Sequence, residues 1–179
     1  MAESFVNSVT RAVGVVTSSS AGSIGVTTNL ITGITTTNGS VGDLVQNTNY
    51  ITGTKVSSIG VNSTTVDRDS TNTTAATSQT VKYLGLTTAY TSAADTKSII
   101  IGGTFTNNTD NEVELTVHLY DNSASLTPAI VSKVPVPNGS SFVLSDTGKT
   151  VLEGLDAIRV YCDTANALDV TLGILKGVS

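Results

Sequence analysis

The chain has 179 residues, 13% of them are charged, and the formal net charge at pH 7 is −5. Because no basic excess is present to bind phosphates, we expect neither nucleic acid nor a membrane as a partner. The composition is rich in threonine, serine, valine, asparagine and glycine and lacks tryptophan, which favours strands and turns over helices. The sequence thus predicts an all-β protein, long enough for one large domain or two small ones.

Residues 1–16 predict an N-terminal arm or strand. Glu3 and Arg11 interrupt its apolar residues, and the run is shorter than the roughly 20 apolar residues that cross a bilayer, so neither a signal peptide nor a membrane span is expected. Arg11 is expected to form a solvated or inter-subunit ion pair. The Ser/Gly-rich segment 17–23 that follows predicts a linker or a loop tip.

Residues 17–90 predict a small β-barrel-like or sandwich module. Short β-branched runs alternate here with turn signals such as Asn38-Gly39 and Asn62-Ser63, a spacing typical of small barrels and sandwiches. Gly53 is expected to take a positive φ that turns the chain into the next strand. The predicted strands are residues 24–28, 31–36, 43–46, 55–59, 64–67 and 80–86, with a long exposed loop at residues 71–78.

Part of this module carries a recognisable order of residues. The order is G-x-x-V, then I-x-G-T-x-V-x-x-I, then T-V, and it lies in residues 41–45, 51–60 and 63–67. It resembles a small β module that recurs in virion proteins of tailed bacteriophages and in some bacterial surface proteins. The usual pattern continues its last strand with an apolar residue, whereas this chain has Asp67 there.

Asp67, Arg68 and Asp69 form the densest charge cluster of the chain. Two carboxylates at positions i and i+2 of a strand point to the same side, where they could hold a hard cation. An arginine lies between them, however, and no third or fourth acidic ligand is nearby. We therefore interpret the cluster as a solvated one and expect no metal.

Residues 91–179 predict an antiparallel β-sandwich of jelly-roll or immunoglobulin-like type. Its first hairpin joins the β-branched run 99–101, an Asn-rich turn at residues 107–111 and a strand with strict alternation. The alternating apolar residues, which predict one buried face, are Val113, Leu115, Val117 and Leu119.

The later strands of this half are predicted from the same alternation and from the turns between them. They are residues 129–136, 141–145, 150–152, 157–162 and 168–175. Pro135 and Pro137 lack the N–H that a central strand needs, so the first of these strands is expected at the edge of a sheet.

This half also carries a moderately specific order of residues. The segment T-K-x-I-I-I-G is followed in turn by P-x-P-x-G-S, V-L-E-x-x-D-x-I-R-V and V-x-x-x-I-L, and the order covers residues 96–103, 134–141, 151–160 and 170–175. It is similar to a β-sandwich of structural proteins of tailed phages, especially those of cyanobacterial and marine hosts. In such proteins an opening like residues 5–14 often lies shortly before a segment like residues 90–102, so the resemblance implies that the first module is an insertion.

The sequence indicates no catalytic, cofactor-binding or metal-ligating residue. His118 is the one histidine, so no histidine pair can bind a metal, and we interpret it as a surface residue on the polar side of its strand. Glu112 and Glu114 lie on one strand face, as solvated glutamates commonly do. Cys162 is the single cysteine of the chain, so no internal disulfide can form. We expect its side chain to be buried as a small hydrophobic group. We expect neither an enzyme nor a cofactor.

The resemblance implies a non-enzymatic virion structural protein, most directly a capsid decoration or cement protein. Its implied partners are the major capsid protein or other virion proteins, together with copies of itself in a homo-oligomer, a trimer, and its implied location is the capsid surface of the virion. A neck, tail or fibre component is the first alternative. A glycan-binding adhesion module is the second, although the chain has no tryptophan and few aromatic residues to stack on sugars.

Overall fold

The computed structural model describes residues 3–144 and 149–178, and over these residues it consists of strands and turns without a helix. The predicted all-β class is thus confirmed. In this described part of the chain, no helix is long and apolar enough to span a bilayer. The fifteen strands, in chain order, are β1 (Ser4–Thr10), β2 (Val15–Ile24), β3 (Leu30–Thr32), β4 (Leu44–Gln46), β5 (Val56–Gly60), β6 (Ser63–Val66), β7 (Ala76–Leu84), β8 (Thr87–Thr91), β9 (Lys97–Asn107), β10 (Val113–Tyr120), β11 (Ala129–Val136), β12 (Ser141–Leu144), β13 (Thr150–Leu152), β14 (Ala157–Cys162) and β15 (Leu168–Val178).

Contacts divide the chain into two compact units. The sandwich unit takes the described residues of Met1–Val13, Leu86–Cys162 and Asn166–Ser179, and the barrel unit takes Gly14–Gly85 with Asp163–Ala165. The observed boundaries thus fall between residues 13 and 14 and between residues 85 and 86. The sequence predicted them between residues 16 and 17 and between residues 90 and 91. β1 pairs with the last strand of the sandwich unit, whereas Val15 and Val16, which the predicted arm included, begin β2 of the barrel unit.

The sandwich unit has jelly-roll topology. One sheet has the order β1-β15-β9 with β12 and β13 side by side on the far edge of β9, and the other has the order β11-β10-β14-β8. All pairs are antiparallel and nested: β1 with β15, β8 with β14, β9 with β12 and β13, and β10 with β11. Pairing of the first strand with the last, and so on inward, is the jelly-roll pattern. β11 lies at an edge, as its prolines predicted.

The core of the sandwich unit lies between its two sheets. The alternating residues Leu168, Val170, Leu172 and Ile174 of β15 are at most 1% exposed, which confirms the alternation read from the sequence. They pack in one cluster with residues of the opposite sheet, among them Val113, Leu115, Val117, Val160 and Cys162. Burial of such side chains is the main force that holds the two sheets together.

Asn107 ties the β9–β10 turn to a second turn. Its side chain is 1% exposed, and its amide donates to the carbonyl oxygens of Asn111, Val136 and Pro137 at 2.7, 2.9 and 3.2 Å. Its own oxygen accepts from the backbone N–H and the hydroxyl of Thr109. The Asn-rich segment therefore turns the chain as predicted, and one buried amide fixes its conformation.

The barrel unit is a six-stranded sheet that closes on itself. Its strand order is β4-β7-β2-β3-β6-β5, and a bridge between Leu44 and Lys55 joins the two ends. Backbone hydrogen bonds from Val45 N to Thr54 O (2.8 Å) and from Val56 N to Asp43 O (2.9 Å) complete the closure. The interior holds a separate apolar cluster: Ile24, Ile31, Ile34, Val45, Tyr50, Val56, Val66, Val81 and Tyr83.

The Ser/Gly-rich segment 17–23, predicted as a linker or loop tip, is instead part of β2. That prediction was wrong because β2 is a central strand, paired with β7 on one side and β3 on the other. Its neighbours approach so closely that a Cβ on Gly22 would lie 2.8 Å from Val81 Cγ2, so small residues suit this strand. The predicted strand 24–28 is also wrong, because β2 ends at Ile24.

The other strands of the barrel unit were predicted with small errors. Gly53 has φ +86°, which confirms the predicted turn into β5. The predicted strand 31–36 is shorter as β3, and the predicted loop 71–78 ends where β7 begins at Ala76.

Predicted strands of the second half match the structure closely. β11, β13 and β14 have the predicted bounds, and β15 continues past the predicted residue 175 to Val178. Predicted strand 141–145 corresponds to β12 through Leu144, and residue 145 lies outside the described residues.

Candidate functional surfaces

The outer face of the sheet β1-β15-β9-β12/β13 is apolar; we call it the apolar face. One row across the sheet aligns Phe5 with Leu175, Leu175 with Ile99, and Ile99 with Val151. A second row aligns Val9, Thr171, Thr104 and Val143. The large apolar side chains most exposed on this face are Phe5 (77%), Val9 (66%), Val143 (55%), Val151 (52%) and Ile101 (45%).

The centre of the apolar face is a shallow depression of about 360 Å³. Gly102 and Gly173 oppose each other there, so the sheet carries no side chain at its middle. Gly102 lies beside a shift of register in the β15–β9 pairing, and the bulge leaves Ile101 facing outward next to the depression. Neutral residues surround this centre, among them Asn7 and Thr104.

Ion pairs bound the apolar face at its two ends. Arg11 Nε lies 3.5 Å from Asp169 Oδ1 at one end, and Lys97 Nζ lies 3.4 Å from Glu153 Oε1 at the other. The Arg11 side chain is 83% exposed, so its charge is available to another molecule. A neutral apolar centre with a charged rim is the usual anatomy of a protein–protein interface.

The outer face of β10 and β14 is polar and carries Arg159, Tyr120 and His118; we call it the arginine face. Arg159 of β14 lies directly between His118 of β10 and Thr88 of β8. The guanidinium carbon of Arg159 is 3.8 Å from the centroid of the Tyr120 ring, a cation–π contact. Arg159 Nε is buried and has no hydrogen-bond partner.

His118 lies on the outward side of β10, which confirms its predicted place on the polar side of the strand. Its Nδ1 is 2.9 Å from the carbonyl oxygen of Thr127. Because a carbonyl oxygen only accepts, Nδ1 carries the proton in this contact and the ring is fixed in orientation.

The barrel unit carries a polar groove of about 700 Å³ lined by residues such as Gln46, Thr48 and Lys82. Two amides that line it are held by hydrogen bonds: the side-chain oxygens of Asn47 and Gln79 both accept from Asn49 Nδ2, and their NH₂ groups donate to the carbonyl oxygens of Thr80 and Thr77. Tyr50, which also lines the groove, is buried, and burial, with smaller contributions from Asp69 and Tyr83, raises its pKa to about 12. Because these polar groups have partners within the protein, we assign no ligand to the groove.

The charged residues singled out in the sequence do not converge. Asp67 Oδ1 accepts the backbone N–H of Lys55 at 2.8 Å, and Asp67 Oδ2 lies 3.8 Å from Arg68 Nε. Among the described residues, no group of three or more histidine, cysteine, aspartate or glutamate side chains could hold a metal ion. Cys162 is 0% exposed in the sandwich core, which confirms its predicted role as a small buried hydrophobe.

Sequence reasoning missed both faces. The run Ile99-Ile100-Ile101 predicts a packed strand, but it makes both sides of that strand apolar: Ile100 is buried in the core, and Ile101 is exposed on the outer face. Arg159 is outward by the alternation of β14, but its stacking partner Tyr120 belongs to another strand, so only the strand register brings the two together.

Comparison with protein-family models, curated proteins and solved structures found no match for this chain.

Proposed function

We propose that this protein is a non-enzymatic structural component of a tailed-phage virion, a capsid decoration protein that binds the major capsid protein as a homotrimer. The observation that carries the proposal is the apolar face, where five large apolar side chains are at least 45% exposed on one sheet. A monomeric soluble protein rarely exposes a contiguous apolar patch of this kind without a partner. The jelly roll and the phage-like order of residues support the same class of protein.

The apolar face is the contact between copies of this chain. Both of its ends carry one cation and one carboxylate, so a second copy offers the complementary charge wherever it meets the rim. Three copies around a threefold axis would turn this face inward and remove Phe5 and Val9 from water. Burial of such side chains contributes roughly 1.5–3 kcal/mol each, enough to drive assembly when several are buried together.

Co-sedimentation with empty shells of the phage that encodes the chain tests the proposal. We expect the protein to pellet with shells and to saturate at a stoichiometry that covers the whole shell. Binding of only a few copies per shell would contradict decoration and favour the neck, the tail or a fibre. Absence of co-sedimentation would contradict the proposed function itself.

A double substitution, Phe5→Ser with Val143→Ser, tests the role of the apolar face. Because both side chains are more than half exposed, the fold should tolerate the change, whereas association between copies should weaken by on the order of 3 kcal/mol, roughly 100-fold. Val61→Ser is the matched control, since Val61 is 92% exposed on the barrel unit. Loss of shell binding with an intact trimer would assign the face to the shell instead.

A further inference from the structure

The two edges of the sheet β11-β10-β14-β8 are protected against pairing with another chain. β11 carries Pro135, which has no N–H, and its pairing with β10 is interrupted by two shifts of register. The carbonyl oxygen of Ala89 in β8 accepts from the hydroxyls of Ser8 and Thr10 at 2.8 and 3.4 Å, so side chains of β1 cover part of that edge. Prolines, irregular pairing and covering groups keep an edge strand from binding a further strand.

The two edges of the sheet that carries the apolar face have no such protection. β1 has seven residues, pairs with β15 without a shift of register and contains neither a proline nor a charged side chain. β12 and β13, at the opposite edge, also lack both. Among the described residues, each of these three strands pairs on one side only. A regular, uncharged edge is a template for a strand of another molecule.

The directions of these edge strands suit a partner that is a second copy of the chain. Successive pairs across the sheet are antiparallel, so β1 runs opposite to β12 and β13. Rotation of a copy about an axis parallel to the strands preserves each direction, and it therefore sets β1 of that copy antiparallel to β12 and β13 of the next. Contact between two different edges repeats around the axis and closes a ring, which fits a trimer better than a two-fold dimer.

The apolar rows of the sheet continue from one copy to the next in this arrangement. In each copy the row that begins at Phe5 ends at Val151, and the row that begins at Val9 ends at Val143. The rotation keeps the height of every residue along the axis. Phe5 of one copy therefore lies beside Val151 of the next, and Val9 lies beside Val143. All four side chains are more than half exposed, and apolar pairs across adjacent strands stabilise a sheet.

The width of the sheet suits three copies. It has four strand positions, with β12 and β13 sharing the last, and at about 4.8 Å per strand these span roughly 19 Å. Three such sheets joined edge to edge enclose a triangular space whose sides lie about 5–6 Å from its axis. Packed sheets lie about 10 Å apart, which is about 5 Å from the plane between them. The side chains of three apolar faces are therefore of the right size to fill this space.

We propose that β1 of each copy adds to the β12/β13 edge of the next copy, so that the three sheets form one closed β-structure around the threefold axis. This pairing rests on the homotrimer of the proposed function and concerns the backbone edges through which its copies join. The apolar faces then pack inside the closed structure, and the N–H and C=O groups on the outer edge of β1 bond to another copy.

Cysteine cross-linking of the full chain tests this pairing. Opposite residues on adjacent strands have Cα atoms about 4.5–5.5 Å apart, within reach of a disulfide, whereas two strands separate Phe5 from Val151 of the same copy, about 14 Å. Under mild oxidation we expect Phe5→Cys with Val151→Cys to give covalent dimers and trimers on a non-reducing gel. Phe5→Cys with Ser141→Cys is the matched control and should give neither, because Ser141 is aligned with Thr106, far along β9 from the row of Phe5. Native Cys162 is 0% exposed and does not react.

Two further readouts separate the pairing from the homotrimer. Val9→Cys with Val143→Cys, in the second row, should also give covalent trimers. In the wild type, amide hydrogen exchange should show both sides of β1 protected, and Phe5→Ser with Val143→Ser should speed exchange of every second amide by about 10-fold.

A wild type that is trimeric by light scattering, with no cross-link in either row and with alternate amides of β1 unprotected, would refute edge pairing and keep the homotrimer. A cross-link formed by Phe5→Cys alone would also refute the pairing, since it joins β1 to β1. A monomeric wild type would refute both the pairing and the homotrimer.

Discussion

Asn107→Asp is expected to destabilise the sandwich unit strongly although it changes one NH₂ group into an oxygen. The wild-type amide donates to three carbonyl oxygens at 2.7–3.2 Å while 1% exposed. An ionised carboxylate has no donor, so it leaves these oxygens without a partner and places a negative charge among them. Two lost donors, each about 1 kcal/mol net, and the unsatisfied acceptors give a loss on the order of 4 kcal/mol.

The assay is urea and thermal unfolding of the wild type and the variant at pH 7. A loss of about 4 kcal/mol should lower Tm by about 8–16 °C in a chain of this size. Asn108→Asp is the control, because Asn108 is exposed beside it and the same charge enters the same turn. Equal destabilisation by the two substitutions would refute the reasoning.

The loss of stability in Asn107→Asp should also depend on pH, and its direction follows from the burial of the new carboxyl group. Burial disfavours the charged form, so the pKa of the introduced carboxyl at position 107 should rise in the folded state above its unfolded value of about 3.9. The destabilisation relative to wild type should therefore be smaller near pH 3, where the carboxyl is mostly protonated in both states and regains one of the two lost donors, than at pH 7. A difference that does not change between these pH values would contradict this account.

Two further predictions concern the barrel unit. Tyr83→Phe removes the buried hydrogen bond from the Tyr83 hydroxyl to Thr64 Oγ1 (2.8 Å) and should cost about 1–2 kcal/mol in urea unfolding; an unchanged midpoint would contradict a role for that bond. The pKa of Tyr50 is raised to about 12, so its contribution to stability should be present below pH about 10, the unfolded value, and lost as the pH rises through 12. Between pH about 10 and about 12 the free energy of unfolding should fall less in Tyr50→Phe than in the wild type. Equal falls in the two proteins would contradict this prediction.

Periodicity predicted the sandwich unit well because its strands alternate strictly. Val113, Leu115 and Val117 face the core, and the polar residues between them face outward. The turns were equally clear, since Asn107 and the residues after it favour local hydrogen bonds. The choice of a jelly roll over an immunoglobulin-like fold needed the structure, because nested pairing of β1 with β15 joins residues far apart in the sequence.

β2 shows why the barrel unit was harder to predict. Segment 17–23 has the composition of a linker, yet it is hydrogen-bonded on both sides in a central position. Close approach of β7 at Gly22 selects small residues there, and that requirement comes from tertiary packing, which local propensity does not encode.

The two candidate surfaces could be foreseen only in part. Alternation places Arg159 outward and the isoleucine run 99–101 on both sides of β9, but neither pattern says which side chains of other strands lie next to them. The row from Phe5 to Val151 crosses four strands, so the apolar face exists only once the register is fixed.

The most direct test of the central claim, that the apolar face holds copies of this chain together, is the mass of the purified protein in solution by light scattering. The chain has a mass of 18.3 kDa, so three copies give about 55 kDa. We predict the trimer mass for the wild type and for Val61→Ser, and a shift toward the monomer for Phe5→Ser with Val143→Ser. A monomeric wild type, or a double variant that stays trimeric at the same concentration, would contradict the account.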